Sequence, residues 1–385
     1  MANLFENWSA TKEALTDGLA GNKKAVMETV LENTKRSLTE SATAGATMAG
    51  NVATLNKVIL PVIRRVMPTV IANELVGVQP MTGPVGQIHT LRVRYAEAFA
   101  GVAAGDEALS PFAIANGYSG NAGTSKGDAT ATQEGLPGKK MSIQILKQTV
   151  EAKSRKLSAR WTFEAAQDAQ AMHGLDVEAE IMAALAQEIT AEIDQEIITS
   201  LTNLAGTASS TYAQNAVSGT ATFVGDEHAA LAVLINKAAN DIAARTRRGA
   251  GNWVVVSPTV LTVLQSATTS AFARTTEGPF EAPTNTKLVG TLNNSVKVYV
   301  NQYAANDDVL VGYKGSSESD AAAFYCPYIP LMSSGTVLDP DTFEPVVSFM
   351  TRYGYVELNN TASSLGNAAD YLSRIAVTTN ALNFS

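Results

Sequence analysis

The chain has 385 residues, more than one compact core accommodates, so two or three substructures are expected. Its formal net charge of −8 argues against generic affinity for nucleic acid. One cysteine, Cys326, excludes an intrachain disulfide and fits a reducing compartment, no run approaches the roughly 20 apolar residues of a membrane span, and the first six residues lack the basic start and apolar core of a secretory signal. A soluble protein made inside the cell is expected.

Residues 1–40 read as polar, broken helices. Gly18 and Gly21 interrupt the first, and Val26, Val30, Leu31 and Leu38 give the second a thin apolar stripe. Such a stripe pairs with other helices but cannot sustain a core alone. Residues 41–50 are almost all Ala, Thr, Gly and Ser, the composition of a flexible linker. Pro61 suits the first position of a helix, followed by Val62, Ile63, Val66, Met67, Val70 and Ile71 at helical spacing, with Arg64 and Arg65 on another face. Pro68 should kink or restart it. Two Gly/Pro turns, 77–81 and 83–87, then lead into a strand over 87–95 that carries Arg92 and Arg94. A second strand is read over 142–153. The Ala/Gly-rich stretch between them, about 98–139, is too long for an ordinary structureless loop. It is expected to be disordered or supported from outside the monomer, so that the two strands form an extended arm.

A helix is read over 161–172, ended by His173-Gly174, with Asp176 positioned to cap the next. That next helix runs to about Leu204. Ile181, Leu185, Ile189, Ile193, Ile197 and Leu201 recur at every fourth position, and Glu188, Glu192 and Glu196 form an acidic row best read as a solvated or ion-paired face. Beyond residue 223 the pattern suits a compact α/β unit. It has a helix over 227–245, a basic turn at Arg245-Thr246-Arg247-Arg248-Gly249, a buried strand over 252–257, a helix from Pro258, and short strands over 296–300, 309–313 and 323–325. Strands over 346–358 and 371–378 are read as returning to the long helix.

Little of this suggests chemistry. His89, His173 and His228 have no metal-ligand spacing, and no phosphate loop, nucleophile elbow or metalloprotease motif occurs. Cys326 precedes Pro327 in an apolar, aromatic segment, which favours a buried inert thiol. No catalytic residue, cofactor or metal is expected. The basic turn could hold phosphate, but local or intersubunit ion pairs are the better reading.

Three ordered segments carry a resemblance. The first is Val62-Ile63-Arg64-Arg65-Val66-Met67-Pro68 through Gly77-Val78-Gln79-Pro80-Met81 to Tyr95. The second is Glu151-Ala152-Lys153-Ser154-Arg155-Lys156-Leu157 through Ala166-Gln167-Asp168 and His173-Gly174-Leu175-Asp176. The third is Val311-Gly312-Tyr313-Lys314-Gly315, Tyr325-Cys326-Pro327-Tyr328 and Thr351-Arg352-Tyr353-Gly354. In this order they resemble the major capsid proteins of T-even-type tailed phages.

The resemblance implies an α+β, Hong Kong 97-type capsid fold. It implies a scaffold-like segment over 1–40, an N-arm over 41–85, an E-loop over 86–155, a P domain over 156–221 and 341–385 with the long spine helix, and an A domain over 222–340. It implies self-assembly into an icosahedral or prolate head shell around double-stranded DNA, without sequence-specific DNA binding. The subunit would form hexamers, with pentamers left open, and would be assembled in the host cytoplasm. Expected partners are a scaffold, a prohead protease, a portal and vertex or decoration proteins. Family processing after Glu in a Leu/Ile-x-Glu setting points to Leu38, Glu40 and Ser41, with the cut between Glu40 and Ser41. Arg64, Arg65, Arg92, Arg94, Arg245, Arg247 and Arg248 are the candidates for contacts between copies. The E-loop region is shorter than in the best-known members, leaving no room for their inserted domain. Alternatives are a vertex-forming paralogue or an encapsulin-type shell and, in another class, a tail or adhesin binding module.

Overall fold

The computed structural model describes residues 8–19, 21–43, 70–99, 101–106, 108, 117–121, 123–124, 126–173, 176–213, 224–266, 272–274, 287–293, 295–318, 320–342, 344–358 and 368–378. Arg64 and Arg65 lie outside them, as do residues 44–50 of the expected linker.

The N-terminal helices Trp8–Thr16 and Asn22–Thr43 are separated where the sequence implied. Gly18 and Gly21 take φ values of 79° and 63°, a conformation glycine adopts without a Cβ penalty. The second helix continues to Thr43, three residues into the stretch read as linker. Trp8, Val26, Met27, Val30 and Leu31 are buried in the main core with the long helix. Val26, Val30 and Leu31 of the thin stripe therefore lie on the body of the protein, the side chain of Leu38 being outside the described residues.

The long helix is Val177–Ala205. Asp176 caps it, accepting hydrogen bonds from the backbone N–H groups of Glu178 (3.1 Å) and Ala179 (3.4 Å). Leu185, Ile189, Ile193, Ile197 and Leu201 form a buried stripe. The same core takes in residues of a five-stranded sheet. There Gly77–Val78 runs parallel to Ala323–Ser333, which is antiparallel to Pro345–Glu357; the last strand is flanked by Val337–Leu338 and Lys153–Arg160. Over residues 345–352 of Pro345–Glu357, buried and half-buried positions alternate, the signature of a strand with one face inward.

A seven-stranded sheet has the order Ser210–Tyr212, Leu372–Val377, Val309–Gly312, Trp253–Val256, Val296–Val300, Lys287–Leu292, Phe272–Arg274. Its mixed ladders pack with the helices Val224–Thr246 and Pro258–Ser266 around a second core that includes Ile235, Ile242, Val254, Val298 and Val311. At Gly312 an added Cβ would lie 2.1 Å from the Trp253 ring, so the strand pair requires glycine there.

Helices and sheets are thus mixed in an α+β fold. One strand differs from the sequence reading. The segment read as a short strand over 323–325 is the eleven-residue Ala323–Ser333, in the five-stranded sheet and not with the 253–312 strands. The strand read over 371–378 returns to the long helix as expected, Leu372 sharing its core, and it pairs with Val309–Gly312 and Ser210–Tyr212. Local periodicity identifies a strand but carries no information about a partner tens of residues away.

Candidate assembly surfaces

Val85–Tyr95 and Met141–Glu151 pair antiparallel without a register break, from Val85 opposite Glu151 to Tyr95 opposite Met141. They form a two-stranded ribbon. Its base is fixed: Val150 is buried with Met81, Phe324 and Cys326. The Gln148 side-chain amide donates to the Glu357 carbonyl (2.6 Å), and the Ala152 N–H donates to the Pro84 carbonyl (2.9 Å). Gly354 lets the ribbon lie close, since a Cβ there would fall 2.3 Å from Val150 Cγ1.

Away from the base the ribbon stands clear of the body. Residues 141–145 are exposed at every position, on both faces. One face presents Met141, Ile143 and Ile145 at 50, 68 and 66% exposure. Arg94 takes the other face, and the side chain of Arg92 lies outside the described residues. Arg94 is half-buried, and its Nε has no hydrogen-bond partner among the described residues.

The tip was expected to be disordered or supported from outside. Its described part carries a small cluster of its own: Tyr95, Val102, Ala108 and Tyr118 are buried together. The Tyr118 hydroxyl donates to the Lys140 carbonyl (2.6 Å), and the Lys139 ammonium sits 4.1 Å from the Phe99 ring centroid.

The basic turn is knitted into its own chain. Arg248 pairs with Asp320 at 2.8 Å, and Arg245 reaches the Leu372 carbonyl at 3.4 Å. Arg247 occupies the turn at φ 50°. Tyr371 donates to the same Asp320 carboxylate (3.3 Å) and stacks with Tyr313 at 6.2 Å. The acidic row is ion-paired in part, as read from the sequence. Arg155 bridges Glu192 (2.8 Å) and Glu196 (2.6 Å), and its Nε donates to the Tyr353 hydroxyl (2.6 Å). Burial raises the Glu196 carboxyl, but hydrogen bonds from Tyr353 and Arg155 outweigh it and hold the group below its ordinary value. Leu38, Glu40 and Ser41 fall within the second N-terminal helix, their side chains outside the described residues.

Asp194 is a site that sequence reasoning missed. It sits on the buried side of the long helix, its Oδ1 accepting from the Ile71 N–H at 2.9 Å, and its Oδ2 has no partner among the described residues. Burial pushes its carboxyl up to about 7, against the lowering effect of that hydrogen bond. The only signal in the sequence was an acid between Ile193 and the turn leading to Ile197. Cys326 is buried, and burial pushes its thiol up to about 11, away from reactivity. His228 Nδ1 and Ser266 Oγ lie 2.6 Å apart, and among the described residues no group of three or more His, Cys, Asp or Glu side chains could hold a metal ion. No helix among the described residues is long and apolar enough to cross a membrane.

The ribbon is clamped at its base and exposed over residues 141–145. Comparison with known proteins gives the family. The model of the family "Major capsid protein Gp23" matches residues 52–136 and 121–377. The major capsid protein of Vibrio phage KVP40 is 30% identical, covering 95% of this chain and 96% of its own length. That of Enterobacteria phage T4 is 30% identical, over 84% of this chain and 79% of its own. The solved structure titled "The capsid of Myoviridae Phage XM1" superposes with a TM-score of 0.44 at 13% identity, covering 79% of this chain and 90% of that one. The chain belongs to the Gp23 major capsid protein family, structural proteins of the tailed-phage virion and not a family of enzymes.

Proposed function

We propose that copies of this chain assemble into a closed Hong Kong 97-type head shell around double-stranded DNA, and that the shell matures by proteolysis between Glu40 and Ser41. The observation that carries the assembly reading is the ribbon. An isolated two-stranded hairpin is marginal in water, and this one leaves Met141, Ile143 and Ile145 uncovered on one face. A neighbouring copy supplies the missing cover. Total burial per subunit then falls in the obligate class, about 2,000–5,000 Å² or more.

In this reading residues 1–40 are the scaffold-like segment, 41–85 the N-arm, 86–155 the E-loop, 156–221 and 341–385 the P domain, and 222–340 the A domain. Arg64, Arg65, Arg92, Arg94, Arg245, Arg247 and Arg248 are the candidates for contacts between copies, the basic turn meeting an acidic edge of the next copy while Arg248 keeps Asp320 of its own chain. Hexamers form in the host cytoplasm with help from a scaffold, a prohead protease and a portal, and vertex or decoration proteins complete the particle. Electron microscopy of the purified product tests assembly, and intact mass measurement of mature particles tests the cut. A chain still starting at Met1 in those particles removes the processing claim.

A further inference from the structure

The N-terminal helices pack against their own subunit through specific contacts. Val30 and Leu31 are fully buried, and Met27, Val26 and Trp8 nearly so, in one core with Ile71, Ala72, Leu75, Val76, Val78 and Leu331. The Asn33 side-chain amide, itself buried, donates to two backbone carbonyls on different elements: Met81 (2.7 Å), in the turn before the ribbon, and Tyr328 (3.0 Å), in the strand Ala323–Ser333. Asn22 donates to the Val78 carbonyl (3.3 Å), and Lys23 pairs with Glu74 at 2.8 Å. The first helix folds over the second, Trp8 Nε1 donating to Glu32 at 3.1 Å.

We propose that residues 8–36 are an in-cis ligand of the surface formed by residues 70–81 and 323–331, so that cutting the chain after this segment does not release it. The cut removes a covalent bond that none of these contacts needs. Release requires the buried Asn33 and apolar contacts to break together, because residues 77–81 and strand 323–333 are already joined, Gln79 N–H donating to the Tyr325 carbonyl (3.1 Å) and Met81 N–H to the Pro327 carbonyl (3.0 Å), and Asn33 clamps that pair. Since 77–81 leads directly into the ribbon, the segment also braces the ribbon's base until it leaves. Departure of the severed piece would therefore report the loss of these contacts and not the cut itself. The timing rests on the proposed Glu40–Ser41 processing; the docking does not.

The test places a site for a sequence-specific protease within residues 44–50 of the full-length chain, cuts the purified protein, and runs size-exclusion chromatography. The expected result is co-elution of the N-terminal fragment with the remainder in any oligomeric state, and retention weakened roughly tenfold by Asn33→Ala, which removes two hydrogen bonds to buried carbonyls. A thermal melt of uncut Asn33→Ala shows whether the body keeps its fold, and Leu31→Asp gives a second variant expected to free the fragment. A wild-type fragment found free, whether the remainder stays soluble or precipitates, overturns the proposal. So does a fragment held equally well in wild type and in both variants. Neither outcome depends on shells forming, so failure of the assembly reading shows separately, by microscopy.

Discussion

Asp194 is the residue whose chemistry departs furthest from its surroundings. Its carboxyl is raised to about 7, so the folded chain holds this proton more tightly than the unfolded chain does. Stability from this group is full below about pH 4 and falls as pH rises toward about 7, by at most about 1.4 kcal/mol per pH unit. Asp194→Asn keeps an acceptor for the Ile71 N–H and removes the titration. Melting of the variant and of wild type should coincide near pH 4 and diverge by pH 8, with the variant more stable; parallel curves would show that Asp194 does not titrate in this range. Gly312→Ala is a second residue-scale test. Its Cβ would overlap the Trp253 ring, and the overpacking should cost about 1–3 kcal/mol in denaturant unfolding. Gly312 stands in a motif read from the sequence, but its reason, a tryptophan edge-on across a strand pair, exists only in three dimensions. Asp194 was hidden for the opposite cause, because an apolar stripe suggests burial without saying that an acid on the same side is buried too.

Among the elements, those set by neighbours in sequence were legible. Asp176 caps the helix it was read to cap, Gly18 and Gly21 break the N-terminal helices, and Ile189, Ile193 and Ile197 line the core. Long-range pairings were not. Nothing local distinguishes strand 372–377 as a partner of 309–312, or strand 323–333 as a partner of 345–357. The N-terminal stripe of Val26, Val30 and Leu31 was visible as well, but its partner, about 40 and more residues away, was not. The ribbon's base shows how far two elements depend on one contact. Gly354→Ala should push Val150 away and loosen the ribbon, seen as faster amide exchange over 85–95 and 141–151, and adding Val150→Ala should restore much of the protection. Equal exchange in all three proteins would mean that this contact does not position the ribbon.

At the scale of the whole molecule, Met141, Ile143 and Ile145 are exposed and belong to none of the buried clusters of the described residues. Aspartate at Ile143 and Ile145, which are already exposed, should leave the melting temperature of the isolated subunit within about 0.5 kcal/mol equivalent of wild type. Deleting residues 98–139 should likewise leave a soluble, folded subunit, identified by circular dichroism and a cooperative melt. Both changes separate folding from association, since the two buried cores are built from other residues.

Electron microscopy of the wild-type product beside the Ile143→Asp/Ile145→Asp variant tests the ribbon's role in assembly most directly. Closed shells from the wild type, and folded subunits without shells from the variant, are the predicted result. Normal shells from the variant, or a wild-type chain that stays a monomer with its ribbon folded back on itself, would contradict it.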